Sequence, residues 1–121
     1  MSGLNILVLT DDPERLRGAL TLALADAALG GETRIFLQLD AVRLLASPVT
    51  APRDTDHRAH GLPKLAALLA EALESGVAII ACQSGLALAE LDAATLDPRI
   101  EVGGPVSFLQ SMGPDSRLLS V

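Results

Sequence analysis

The chain has 121 residues and only two aromatic ones, Phe36 and Phe108, so a single domain over residues 1–121 is expected, its core built from Leu, Val, Ile and Ala. Nine basic residues lie scattered among fifteen acidic ones, for a net charge of −6, which excludes the basic footprint of a nucleic-acid-binding protein. The lone cysteine, Cys82, excludes an intramolecular disulfide and any zinc site made of several thiolates.

Residues 4–10 read as a first strand, because Ile6, Leu7, Val8 and Leu9 form a continuous apolar run. Asp11-Asp12-Pro13-Glu14 then marks a helix start. Asp12 can cap, proline suits the first helical position, and acidic groups there complement the helix dipole. Leu16, Leu20, Ala23, Leu24 and Ala27 recur at helical spacing until Gly30-Gly31 stops the helix. Asp11 and Asp12 have two readings: plain capping, or lining of a pocket at the carboxyl edge of the sheet. Residues 34–39 read as the second strand, with Asp40 capping a short helix through Val42, Leu44 and Leu45.

From Ser47 to Gly61, two prolines and a dense polar tract argue against regular structure. A loop of this length in a compact domain is usually functional or disordered. It holds both histidines, His57 and His60. With Asp54 and Asp56 they suggest a metal site, yet no further histidine or cysteine cluster completes the coordination, and none is assigned. Alternatively His57, His60, Arg53 or Arg58 closes over Cys82. A solvated, mobile loop is the default expectation.

Pro63 opens the next helix and Gly76 closes it, with Leu65, Leu68, Leu69, Ala72 and Leu73 along one face and Lys64, Glu71, Glu74 and Ser75 in solvent. Residues 77–81, apolar at every position and rich in branched side chains, read as a strand covered on both faces, as in a parallel sheet. Gln83-Ser84-Gly85 breaks that run, and Leu86, Leu88, Ala89 and Leu91 resume it with helical spacing, Ser84 serving as the N-cap. Cys82 thus falls between a strand's carboxyl end and a helix start. In open α/β sheets ligands bind at that edge. Orphan amides and the helix dipole there favour a thiolate. The competing reading is a cysteine buried as a small hydrophobe.

Residues 92–99 form a polar connection, and residues 100–102 a short strand. Gly103-Gly104-Pro105 leads into a helix through Val106, Phe108, Leu109 and Met112. The double glycine matches no phosphate-loop pattern. Gly113-Pro114-Asp115-Ser116 is a turn, and a last strand runs from residue 117 to 121. Five strands alternating with helices predict a three-layer α/β/α sandwich with a mostly parallel sheet. The amino terminus lacks a signal-peptide pattern, and no apolar stretch approaches ~20 residues, so a cytoplasmic chain without a membrane span is expected. The mean hydropathy of +0.42 is high for a small soluble domain, which points to apolar surface buried between subunits.

These features together resemble the DsrE/DsrF-like family. The resemblance rests on Ile6-Leu7-Val8-Leu9-Thr10-Asp11-Asp12, the loop before the third helix, and Ala-Ile-Ile-Ala-Cys-Gln-Ser at the third strand. It continues through Ile100-Glu101-Val102-Gly103-Gly104 to the short last strand, so that it spans nearly the whole chain. It implies a five-stranded parallel sheet between two helical layers, in homotrimers, hexamers or heteromers of related subunits. It also implies sulfur relay: the cysteine at the position of Cys82 accepts sulfur from a donor protein as a persulfide and yields it to an acceptor protein. On that reading Cys82 is the catalytic nucleophile. Gln83 and Ser84 can bond the terminal sulfur, and the amides of Gly85 and Leu86 can raise the local potential. No metal or cofactor is required. Family members often carry a basic group in the helix after the cysteine, whereas Ala87, Ala89 and Glu90 stand there in this chain. The alternative is a non-enzymatic oligomer subunit that binds a small anion or a partner protein at the same sheet edge.

Overall fold

The computed structural model describes residues 3–121. Its strands are β1 (Gly3–Val8), β2 (Glu32–Leu37), β3 (Ala78–Cys82), β4 (Glu101–Gly103) and β5 (Arg117–Ser120). They form one sheet in the order β4-β3-β2-β1-β5, and every neighbouring pair is parallel. The helices are α1 (Pro13–Ala28), α2 (Asp54–Ala59), α3 (Leu65–Glu74), α4 (Gln83–Leu88) and α5 (Pro105–Gln110), with 3₁₀ segments at Leu39–Leu45 and Ala93–Thr95. The result is the expected three-layer α/β/α architecture. Among the described residues no helix is long and apolar enough to cross a membrane.

Strand register sorts the side chains onto two faces, because alternate residues of a strand point to opposite sides. Leu4, Ile6, Val8, Ile35, Leu37, Ile79 and Ala81 share one face and are buried. Over that face lie α1, through Leu16, Ala19, Leu20 and Ala23, and α3, which packs against α1. Asp12 caps α1 as expected: its carboxylate accepts the Glu14 amide at 2.9 Å, and Pro13 opens the helix. Past the ends of α1 and α3 the chain turns through Gly30 and Gly76, at φ +85° and +86°, a conformation that glycine adopts without a Cβ clash.

The other face carries Asn5, Leu7, Arg34, Phe36, Ile80, Cys82, Gly103 and Leu118. There α5 lies alone, stacking Phe108 on Phe36 with ring centroids 4.8 Å apart. Arg34 sits over the same Phe108 ring, 4.5 Å from its centroid, and donates to Asn5 Oδ1 and to the Phe108 carbonyl. Of the six residues in α5, only Phe108 is buried. This layer is thin.

Several expected boundaries move. β1 ends at Val8, and β2 starts at Glu32 and stops at Leu37. Leu39 turns into the 3₁₀ segment at φ 53°, and Asp40 lies within the first turn of that segment, not at its cap. Residues 47–61 are not irregular throughout, since α2 lies within them. Its six residues bury nothing of their own, so no apolar periodicity marked it. The helix after Cys82 stops at Leu88, short of Ala89 and Leu91, and α5 stops at Gln110, short of Met112.

Candidate functional site

Cys82 is the last residue of β3 and stands at the N-cap position of α4, with φ −67° and ψ 126°. It pairs with Gly103 of β4. Because Ala78-Ile79-Ile80-Ala81 is apolar, the strand takes an interior place in the sheet, between β4 and β2, and carries the thiol with it. The thiol is free and buried, at 3% exposure, and makes no hydrogen bond to a described residue.

The three residues after it divide. Gln83 and Ser84 are exposed in the first turn of α4, and neither side chain bonds to a described residue. Ser84 is inside the helix and caps nothing, which corrects the capping expectation: the N-cap is Cys82 itself, without a side-chain cap bond. Gly85 is buried against the 3₁₀ segment. A Cβ there would stand 2.9 Å from the Leu39 carbonyl oxygen and 3.1 Å from Val42 Cγ1. Its side of the helix therefore faces protein, and glycine is required for close approach rather than for a flexible turn. A helix of six residues also carries little of the macrodipole expected to favour a thiolate.

Of the four residues expected to close over Cys82, three are engaged elsewhere, and the fourth, Arg58, lines a cleft with Asp54 and Lys64 that does not include Cys82. His57 Nε2 donates to Glu14 Oε1 at 2.8 Å, and Arg53 pairs with Glu14 and Asp56, each at 3.3 Å. His60 Nδ1 donates to the Asp56 carbonyl. None of these three reaches over Cys82. Among the described residues no group of three or more His, Cys, Asp or Glu is placed to hold a metal. Asp12 serves as the α1 cap, and Asp11 is exposed beside it.

What holds the 47–61 segment is a polar cluster that sequence reasoning missed. Arg17, at 6% exposure, donates to Glu14 Oε2 at 2.7 Å, to Asp54 Oδ1 at 2.9 Å and to the Pro63 carbonyl at 3.0 Å. Asp54 also accepts the amides of Leu65 and Ala51. The hydrogen bonds from His57 and then from Arg17 hold the Glu14 carboxyl below its ordinary value. Burial works against the Asp54 carboxylate, but the Arg17 hydrogen bond and the Leu65 and Ala51 amides outweigh it and lower its pKa too. The one signal in the sequence was Arg17 itself, next to Leu16 and one turn before Leu20, on the edge of an otherwise apolar stripe.

The sequence matches the DsrE/DsrF-like family over residues 5–121. No curated protein matches it. Three solved structures share the fold over essentially their whole lengths. A conserved protein of unknown function from Bacteroides thetaiotaomicron, BT1422, is 22% identical with a TM-score of 0.72, over 99% of this chain and 95% of its own. The ychN protein of E. coli is 18% identical with a TM-score of 0.71, over the full length of both chains. A protein of unknown function from Methanobacterium thermoautotrophicum, MTH1491, is 15% identical with a TM-score of 0.69, again over both full lengths.

Proposed function

This chain belongs to the DsrE/DsrF-like family, and on that premise we propose that it is a sulfur-relay protein carrying sulfur as a persulfide on Cys82. The supporting observation is the place of the chain's one thiol, at the carboxyl end of the interior strand β3, next to two exposed polar side chains with no partner among the described residues. In the loading step the Cys82 thiolate attacks the outer sulfur of a donor protein's persulfide. The donor S–S bond breaks, the donor departs as a thiolate, and a Cys82 persulfide forms with no net change in oxidation state. In unloading, an acceptor thiolate attacks the outer sulfur and Cys82 leaves as a thiolate. Gln83 and Ser84 bond the terminal sulfur. No metal or cofactor enters either step.

The 3% exposure of Cys82 favours a second reading, in which the chain is a non-enzymatic subunit that binds a small anion or a partner protein at this edge. The readings separate on one experiment. Wild-type protein treated with a low-molecular-weight persulfide donor gains one sulfur atom by intact mass, and a Cys82→Ser variant gains none. Equal loading of the variant, or none of the wild type, removes the relay and leaves the binding subunit.

The thin α5 layer leaves Val106 70%, Leu109 57% and Leu118 52% exposed. This supports assembly of several copies, or of related subunits, through that face.

A further inference from the structure

Of the nine lysine and arginine residues, six lie within 4 Å of a carboxylate: Arg15, Arg17, Arg43, Arg53, Arg99 and Arg117. Arg34, Arg58 and Lys64 pair with none among the described residues. Arg34 is engaged in another way, by Asn5, by the Phe108 carbonyl and by the Phe108 ring. The remaining two, Arg58 and the chain's only lysine, line one cleft of about 610 Å³ between the segment preceding α2 and the start of α3.

Other donors meet there. Thr50 and Thr55 line the same cleft, and neither hydroxyl bonds to a described residue. The Ala66 amide belongs to the first turn of α3, where backbone donors have no helical partner, and Ala66 also lines the cleft. The one acid in the lining, Asp54, is already bound by Arg17, Leu65 and Ala51. The cleft therefore presents two unpaired cations, two free hydroxyls and a free amide, with its only carboxylate taken up. In a chain of net charge −6, that local reversal of sign is the arrangement that attracts and bonds an anion.

We propose that this cleft is a binding site for a phosphate-type oxyanion, held by Arg58 and Lys64 and oriented by Thr50, Thr55 and the Ala66 amide. A guanidinium suits two oxygens of such a group, and the ammonium acts as a point charge beside it. Cys82 is not among the lining residues, so the site stands or falls independently of persulfide chemistry.

The test is a titration of the full chain with inorganic phosphate, followed by amide chemical shifts, at ionic strength held constant with sodium chloride. Saturable shifts centred on Thr55, Lys64 and Ala66 are expected. Arg58→Gln and Lys64→Gln should each weaken the dissociation constant about tenfold, the loss expected from one charge-assisted bond. Arg43→Gln, which removes an exposed arginine paired with Asp40, should leave it unchanged. A parallel titration with glycerol 3-phosphate decides the source: tighter binding than inorganic phosphate assigns the site to a phosphoryl group on a larger molecule, and equal binding to the free anion. The proposal is overturned if the double variant binds phosphate as the wild type does. It is equally overturned if chloride alone produces the same shifts at the same ionic strength.

Discussion

Arg17 is the one charged residue that is buried among the described residues. It is 8% exposed at the side chain and faces Asp54 at 16%, so removing the guanidinium leaves a carboxylate partly buried with only amides for partners. Breaking a buried pair from one side costs about 3 kcal/mol or more. Arg17→Met should therefore lower the melting temperature by about 10 °C at neutral pH. The same cluster sets a pH dependence. Glu14 and Asp54 both titrate below their ordinary values of 4.5 and 3.8. Depressed carboxyls contribute stability that is fully present above the unfolded values and is lost as pH falls through the folded ones. Urea midpoints of the wild type should thus fall as the pH is taken from 6 into the acid range below 4. In Arg17→Met, where the principal cation is gone, the fall should be shallower. Parallel acid slopes in the two proteins would mean that Arg17 does not hold these carboxylates down.

At the scale of elements, α4 packs against the 3₁₀ segment, with Gly85 held close to Leu39 and Val42 and Leu86 buried in the core. In Gly85→Ala the new methyl meets a backbone oxygen, which cannot rotate away, so α4 must shift outward at a cost of about 1–3 kcal/mol. Because Cys82 caps that helix, the shift should also speed alkylation of the thiol in the native protein. Unchanged stability together with unchanged labelling would show that the 3₁₀ segment yields freely. This contact marks the limit of what the sequence carried. The join of β3 and α4 at Cys82 was legible, because an apolar run broken by Gln83-Ser84-Gly85 is a local pattern. The wedged role of Gly85 was not, because its neighbours lie more than forty positions away in the chain. The same division runs through the helices. The apolar stripes of α1 and α3 announce them. By contrast, α2 is secured by Arg17 and Glu14 reaching across from α1 to Asp54 and His57, with no periodicity of its own. Ser84 is not the cap because the strand runs into the helix with no intervening loop, and this puts the cap two residues earlier, on Cys82.

For the whole molecule, the imbalance between the two faces of the sheet is the feature with the widest consequence. One face is sealed by α1 and α3, whose apolar stripes fill the core. Over the other there is only the single buried ring of Phe108, while Val106 and Leu109 on α5 and Leu118 on β5 remain largely open. A parallel sheet is normally covered on both faces, and contiguous exposed apolar side chains mark association surfaces. Self-association through the α5 face is the expected outcome. Charges placed there should undo it without touching the core, since none of the three side chains is buried. Leu109→Asp and Leu118→Asp, on separate elements, should each cost about 2 kcal/mol of association, or roughly thirtyfold in the dissociation constant, and together yield a monomer. Sedimentation velocity at micromolar concentration measures this directly. A wild-type protein already monomeric there would leave the second face open to a different subunit, and the heteromeric form of the assembly would take precedence.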